Sequence, residues 1–227
     1  MIPKPPYPVE RGVHALPMFS PEQCAVFAKQ VLDARDLWTD RGLFDTLGAT
    51  TYQDAVDQYP AIADHMNEAL WERFAVLYLE TYRQLADVLK MGVCPHPQGV
   101  GYMGFHVFDS RVGDTCGHPH VDEPHDRIAW PFEWAHPFSF TLPLALPEGG
   151  GGMDMWPELT DSQLDAYMAE GELPEHEHLA YQVGVLYLHT GAVPHRIANP
   201  CPIEEGEFRI TLQGHGVVTA DGFVLYF

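Results

Sequence analysis

The spacing of apolar residues changes near residue 91. Ser20-Pro21-Glu22-Gln23 combines a hydroxyl cap, a proline in the first turn and a Gln three residues after the cap, which predicts a helix over about Pro21–Ala34. Apolar residues then recur at steps of three to four over about Gln53–Lys90, which predicts further helix, broken near Pro60. The first 91 residues are therefore expected to be mainly helical.

Beyond residue 91, apolar and polar residues alternate, which is typical of strands with one buried face. The predicted strands are Val100–Asp109, Phe138–Leu142, Tyr181–His189, Phe208–Gly214 and Phe223–Phe227. A second capping box at Thr160–Gln163 predicts a short helix to about Ala169, and the glycines Gly149–Gly152 predict a close approach to a neighbouring strand.

Helices followed by strands predict an α+β fold in which antiparallel strands form a sandwich or barrel. We expect one domain over residues 1–227, with helical support in 1–91 and a β-barrel core in 92–227. A segment over about 153–175 is expected to be an insertion at the barrel mouth that selects the substrate.

Composition narrows the possible partners. The chain has 32 acidic and 12 basic residues, a formal net charge of −20, which would repel nucleic acid and anionic lipid. A compact chain without a basic groove favours a small-molecule substrate, and the oligomeric state is left open.

The four cysteines contain no CxxC pair, which indicates reduced thiols. The segment Met1–Pro8 has no apolar signal core, and no window approaches the roughly 20 apolar residues that span a bilayer. These features predict a cytoplasmic protein that does not enter a membrane.

His120-Val121-Asp122 carries the first chemical signal. An imidazole and a carboxylate two residues apart point to the same side of an extended segment, so both can reach one metal ion. Such a pair alone is also common in solvated loops. His195 supplies a second imidazole, and Arg209 follows it within a strand that places Arg209 and Thr211 on the face opposite Phe208, Ile210 and Leu212.

Taken together, these residues resemble the iron(II)- and 2-oxoglutarate-dependent dioxygenase superfamily, in its prolyl-hydroxylase-like branch. The family pattern is His-x-Asp/Glu, a distal His, and an Arg about 10–15 residues later that is followed at two residues by Ser or Thr. Arg209 lies fourteen residues after His195, and Thr211 follows it. The Pro147–Gly152 turn also looks like the family's glycine-rich stretch, and the likeness covers roughly Tyr102 to Gln213.

The resemblance implies a double-stranded β-helix, a jelly-roll or cupin-like barrel, buttressed by the N-terminal helices. It implies Fe(II) on His120, Asp122 and His195, with 2-oxoglutarate and O₂ as co-substrates. Arg209 and Thr211 would bind the distal carboxylate of 2-oxoglutarate, because a buried guanidinium without an anion is strongly destabilising. Tyr102 would also contact 2-oxoglutarate.

The implied reaction is hydroxylation of an unactivated C–H bond in a small molecule such as an amino acid or natural-product intermediate, with release of succinate and CO₂. Asp122 argues against a halogenase, because family halogenases have Gly or Ala at that position. Desaturation, cyclisation and stereoinversion stay open. The alternative is a cupin-like metal-binding isomerase or binding protein that does not use 2-oxoglutarate.

Several further residues are weaker candidates. His118 and His189 are interpreted as neighbours of the metal ligands, and His106 as a pocket residue. Four other residues could shape a substrate pocket, although core packing explains the aromatic ones more simply: Asp154, Trp130, Trp134 and Trp156.

Overall fold

The computed structural model describes residues 2, 12–97, 100–113, 117–171, 173–198 and 201–227. Most of the Met1–Pro8 segment and Cys116 lie outside these residues. The α-helices are α1 Pro21–Asp33, α2 Tyr59–Leu89 and α3 Asp161–Glu170. The strands are β1 Val13–Pro17, β2 Thr39–Asp40, β3 Phe44–Leu47, β4 Val93–Pro95, β5 Gly104–Phe108, β6 Ala135–Ala145, β7 Gly152–Met155, β8 Glu177–Ala180, β9 Val185–His189, β10 His195–Ala198, β11 Arg209–Val218 and β12 Phe223–Tyr226.

The strands form two sheets. The larger has nine strands in the order β1-β9-β6-β11-β5-β3-β2, with β12 beside β11 and β4 beside β12. Its pairs are antiparallel except for β12 with β4. The smaller sheet has the antiparallel order β10-β7-β8. A large, mainly antiparallel sheet with few helices confirms the predicted α+β class in this general form.

Two helix starts confirm the predicted capping boxes. Ser20 Oγ accepts a hydrogen bond from the Gln23 amide, and Gln23 Oε1 accepts one from the Ser20 amide. Thr160 and Gln163 make the same reciprocal pair at the start of α3. These side chains satisfy backbone N–H groups that have no partner within the helix.

Helix α2 differs from its prediction. It begins at Tyr59 and continues without interruption to Leu89. Pro60 lies in the first turn, where a missing N–H removes no helical hydrogen bond, so the predicted break there is wrong.

Strand β11 has two chemically different faces. Ile210 and Leu212 are fully buried in the main core with apolar residues of α1 and α2, and Phe208 packs against the same core. Arg209, Gln213 and His215 lie on the opposite face and line a cavity. The alternation read from the sequence is therefore confirmed for this strand.

Several strands were not predicted from the sequence. Strands β1, β2 and β3 lie within residues 1–91, so this part is not only helical support. Strand β7 includes Met153–Met155, the start of the expected insertion, and pairs with both β8 and β10. An added Cβ at Gly152 would lie 2.4 Å from the Leu179 carbonyl oxygen, which explains one of the four glycines by close strand approach.

Cys24, Cys94 and Cys201 are free thiols. None of the helices in the described part of the chain is both long and apolar enough to cross a membrane.

Candidate functional site

The backbone brings the two predicted ligand histidines together. His120 and His195 form an isolated antiparallel bridge in which each amide donates to the other's carbonyl at 2.9 Å. The Asp122 amide donates to the Gly191 carbonyl at 2.9 Å. The segment that carries the His-x-Asp pair is thus held against the loop and strand that carry His195.

The three side chains converge on one point. His195 Nε2 lies 3.4 Å from Asp122 Oδ2, and His120 Nε2 lies 3.6 Å from Asp122 Oδ1. One ligand atom from each residue lies within 4.8 Å of the other two. Two imidazoles and one carboxylate at such distances form the donor set of a facial metal site.

Both imidazoles are oriented to present Nε2. His120 Nδ1 donates to the His118 carbonyl and His195 Nδ1 donates to the Val193 carbonyl, each at 2.7 Å. Because a carbonyl only accepts, each Nδ1 carries the proton and each neutral ring has its lone pair on Nε2. Backbone carbonyls thus orient the ligand rings, as is usual at metal centres.

Asp122 is an anion in this setting. Burial alone would raise the pKa of its carboxyl group, but interaction with the protonated forms of His195 and His120 holds that pKa well below its usual range. Gly191 has a positive φ of 75°, and a Cβ there would lie 3.1 Å from Asp122 Cβ. A larger residue at this position would displace the carboxylate segment. The donor set, its charge and its ring orientation therefore fit a divalent cation.

A cavity of about 1030 Å³ opens beside these residues, between the two sheets. The larger sheet contributes His106, Ser139, Gln213 and His215, and the smaller sheet contributes Met153 and Ile197. The residues outside the two sheets that line its wall include Leu43, Tyr52, Gln53, Pro119, Glu123, Asp126, Arg127 and Tyr181.

Arg209 lies on this cavity wall and is 1% exposed. Its Nη1 donates to the Ala198 carbonyl at 2.8 Å and its Nη2 to the Gly152 carbonyl at 3.0 Å. The guanidinium carbon lies 5.3 Å from the centre of the Tyr181 ring and 5.7 Å from that of Phe108.

Thr211 is on the same face of β11 but is fully buried. Its Oγ1 accepts a hydrogen bond from Gln213 Nε2 at 3.1 Å, and Gln213 lines the cavity. Along this face of β11, Arg209 and Gln213 therefore line the cavity and Thr211 does not. A contact between Thr211 and a co-substrate stays a prediction.

The expectation for Tyr102 is wrong. Its ring packs 5.8 Å from Trp71 and 6.1 Å from Tyr78 on helix α2, outside the cavity wall. Strand β5 begins only at Gly104, and the Tyr102 amide donates to Asn67 Oδ1 of α2. The cavity tyrosines are instead Tyr52 and Tyr181.

Three further histidines line the cavity, and burial lowers the pKa of each: to about 3 for His106 and His189 and to about 4 for His215. His106 Nε2 is hydrogen-bonded to the Tyr52 hydroxyl, and His215 Nδ1 to Ser139 Oγ at 2.9 Å. The ring of His189 lies 4.8 Å from that of His195. These rings are neutral near pH 7, so they add no positive charge that would oppose a cation.

Asp154 and the three candidate tryptophans are not among the residues that line the cavity, whereas His118 is. Asp154 is ion-paired with Arg196 at 2.9 Å and hydrogen-bonded to His178 Nδ1 at 2.8 Å on the smaller sheet. Trp130 and Trp134 pack on each other in a separate apolar cluster, and Trp156 is 2% exposed. Core packing was the better interpretation for these tryptophans.

The predicted selection segment is also placed differently. Within the described residues of 153–175, Met153 is the one that lines the cavity, and α3 buries only Leu164. Outside the strands, the cavity wall includes Leu43, Tyr52, Gln53 and the loop around Asp122. This corrects the expectation that the insertion forms the substrate end of the site.

Tyr52, Gln53 and Arg127 are cavity residues that the sequence did not indicate, because their loops are placed by tertiary contacts. His215 could have been found, since it continues the two-residue alternation of Arg209 and Gln213.

Known structures share this fold. An N-substituted L-amino acid dioxygenase from Burkholderia ambifaria AMMD matches with a TM-score of 0.60 and 17% identity, over 95% of this chain and 86% of that chain. The same enzyme in complex with alpha-KG matches with a TM-score of 0.60 and 16% identity, over 95% and 86% of the two chains. HygX from Streptomyces hygroscopicus, with nickel and 2-oxoglutarate bound, matches with a TM-score of 0.52 and 14% identity, over 90% and 82%.

No protein-family model matches the sequence, and no curated protein does either. The structural matches show that the chain has the fold of 2-oxoglutarate-dependent oxygenases. At sequence identities of 14–17%, this likeness establishes the fold alone.

Proposed function

We propose that this chain is an Fe(II)- and 2-oxoglutarate-dependent oxygenase that acts on a small molecule. The observation that carries the proposal is the convergence of His120, Asp122 and His195 in the same cavity as the buried Arg209. A three-residue facial site suits iron chemistry with open coordination positions, and the guanidinium suits a dicarboxylate co-substrate.

The fold is consistent with this function. We propose that the two sheets are the two layers of a double-stranded β-helix, the jelly-roll or cupin-like barrel, and that residues 1–227 act as one domain. Arg209 supports this arrangement because it belongs to the larger sheet and donates to carbonyls of Gly152 and Ala198 on the smaller one.

Each residue has a defined task. The Nε2 atoms of His120 and His195 and the carboxylate of Asp122 would hold the metal ion. With O₂ and 2-oxoglutarate, an iron ion held this way supplies the oxidising chemistry that releases succinate and CO₂. Arg209 binds the distal carboxylate of 2-oxoglutarate through charge-assisted hydrogen bonds. The neutral His106, His189 and His215 keep positive charge away from the cation.

Hydroxylation is the proposed reaction, and Asp122 argues against halogenation because family halogenases have Gly or Ala at that position. The fold neighbour from Burkholderia ambifaria acts on N-substituted L-amino acids, and compounds of that class are the first substrates to test.

The test begins with binding. The purified protein is depleted of metal, reloaded with Fe(II) without oxygen, and titrated with 2-oxoglutarate. Oxygen is then admitted with a panel of candidate substrates, and succinate is measured. A protein that binds the metal but neither binds nor consumes 2-oxoglutarate would instead be the alternative, a metal-binding isomerase or binding protein.

A further inference from the structure

Arg127 lies on the wall of the cavity that contains the candidate metal ligands. It ends the short 3-10 helix Pro124–Arg127, which begins two residues after Asp122. Its side chain is exposed and forms part of the cavity wall. A charged group on the wall of this cavity can contact the molecule that enters it.

The guanidinium is attached to a rigid support. Arg127 Nη1 donates to the Thr51 carbonyl at 3.1 Å, and Thr51 is 3% exposed. The turn that contains Thr51 is held by a buried ion pair of 2.8 Å between Arg41 and Asp54 and by a 2.8 Å hydrogen bond from the Thr50 amide to Asp54. Because one of its five N–H groups is tied to this turn, less conformational entropy is lost when the others bind a ligand.

The charges around the three cavity arginines differ. Arg196 is neutralised by Asp154, and Arg209 donates to two backbone carbonyls. Within the described part of the chain, no carboxylate oxygen lies within 4.0 Å of the Arg127 guanidinium, although Glu123 and Asp126 line the same cavity. Arg127 therefore keeps donors and a positive charge for a ligand, in a protein whose net charge is −20.

We propose that Arg127 binds a carboxylate of the primary substrate, so that the substrate is an organic acid. This inference rests on the proposed function and names its substrate class. A guanidinium favours a carboxylate because its parallel N–H groups match the two oxygens. Glu123 and Asp126 would attract an amine on the same molecule, so an amino acid derivative fits both charges.

The test uses binding, not turnover. The protein is loaded with Mn(II) and saturating 2-oxoglutarate without oxygen and titrated with N-acetyl- and N-methyl-L-amino acids, each paired with its carboxamide. The variants are Arg127→Met, which keeps the apolar stem, and Arg127→Lys, which keeps the charge. Arg83→Met is the control, because Arg83 is an exposed arginine on α2 whose loss changes the net charge equally.

We expect the parent to bind carboxylates about 10-fold or more tightly than the matched carboxamides, as for a charge-assisted contact at a partly exposed site. Arg127→Met should lose this preference, Arg127→Lys should keep part of it, and Arg83→Met should keep all of it. Binding of Mn(II) and 2-oxoglutarate should be unchanged in every variant.

The proposal is overturned if no carboxylate in the panel binds, if carboxylates and carboxamides bind the parent alike, or if the preference survives in Arg127→Met. Loss of Mn(II) or 2-oxoglutarate binding in Arg127→Met would also overturn it, because the role of Arg127 would then be structural. Binding of 2-oxoglutarate to the parent protein is measured first, before any amino acid derivative is added. A parent protein that does not bind 2-oxoglutarate would contradict the proposed function itself.

Discussion

Arg209 on the larger sheet donates a 3.0 Å hydrogen bond to the carbonyl of Gly152 on the smaller sheet. The guanidinium therefore joins the two sheets at the wall of the cavity that also contains the candidate metal ligands. Arg209 is thus both a structural link and the candidate anchor for the co-substrate, and experiments on it must measure stability and binding separately.

Replacing Arg209 by Leu should weaken 2-oxoglutarate binding by about 100-fold, because a bidentate charge-assisted contact is lost. Calorimetric titration of the Mn(II)-loaded protein without oxygen measures this affinity, and thermal unfolding measures the separate cost of the two lost carbonyl bonds. Arg209→Lys should bind with intermediate affinity. Unchanged 2-oxoglutarate affinity in a folded Arg209→Leu variant would place the anchor elsewhere.

Removing one ligand histidine should lower Mn(II) affinity by about 100-fold or more, since loss of even an outer hydrogen-bond partner weakens metal sites by 10- to 100-fold. His120→Ala and His195→Ala are compared with His178→Ala, whose imidazole contacts Asp154 outside the triad. Equal affinity in all three variants would contradict the assignment of the triad.

His106 should make the protein less stable in acid. Burial lowers the pKa of its ring to about 3, whereas in the unfolded chain the pKa is about 6.5. Below pH 6.5 the unfolded state takes up the proton and the folded state does not. The stabilising contribution of the neutral ring is therefore complete above pH 6.5 and declines as the pH falls towards 3.

One such group lowers the free energy of unfolding by about 2 kcal/mol between pH 6.5 and pH 5. Urea titrations at both values should show that His106→Gln loses less stability on acidification than the parent. His65→Gln changes an exposed histidine on α2 and should behave like the parent. If the two variants have the same pH dependence, His106 is not held neutral.

The ion pair between Arg41 and Asp54 should contribute strongly to stability because both side chains are nearly buried. Arg41→Met leaves the Asp54 carboxylate without its partner, which costs about 3 kcal/mol or more of unfolding free energy. Lys29→Met breaks an exposed pair with Asp33 and should cost less than about 1 kcal/mol. Chemical denaturation of the two variants compares the losses of unfolding free energy directly. Similar losses would show that the buried ion pair contributes no more to stability than the exposed one.

Shortening helix α3 should leave substrate coupling intact, because none of its residues lies on the cavity wall. With a substrate in hand, the ratio of product formed to 2-oxoglutarate consumed should equal that of the parent. Increased uncoupled consumption of 2-oxoglutarate would show that this helix does cover the site.

The parts of the site that could be predicted are those set by local periodicity. His120 and Asp122 share one side of an extended segment, and Arg209 shares a face with the cavity residues of β11, as the two-residue alternation requires. The prediction placed Tyr102 within the strand, because the alternation of residues does not show where a strand begins. A start at Gly104 leaves Tyr102 outside the strand and against α2.

Tyr52, Gln53 and Arg127 were not predictable for a different reason. They lie in loops, and their positions depend on contacts such as the Arg41–Asp54 pair and the bond from Arg127 to Thr51. These contacts join residues far apart in the sequence, so no local pattern reports them. Strands β1 to β3 were not predicted; β2 has only two residues, which is too few to establish a period.

The bridge between His120 and His195 has a consequence for folding. The unfolded chain cannot present the two imidazoles together, so an ion that requires both is bound by the folded state and not by the unfolded one. Such an ion would act as a reversible cross-link that closes the long segment between the two histidines. The midpoint of thermal unfolding should then rise with the concentration of free metal. This midpoint therefore reports both metal binding by the two histidines and the stability of the folded protein.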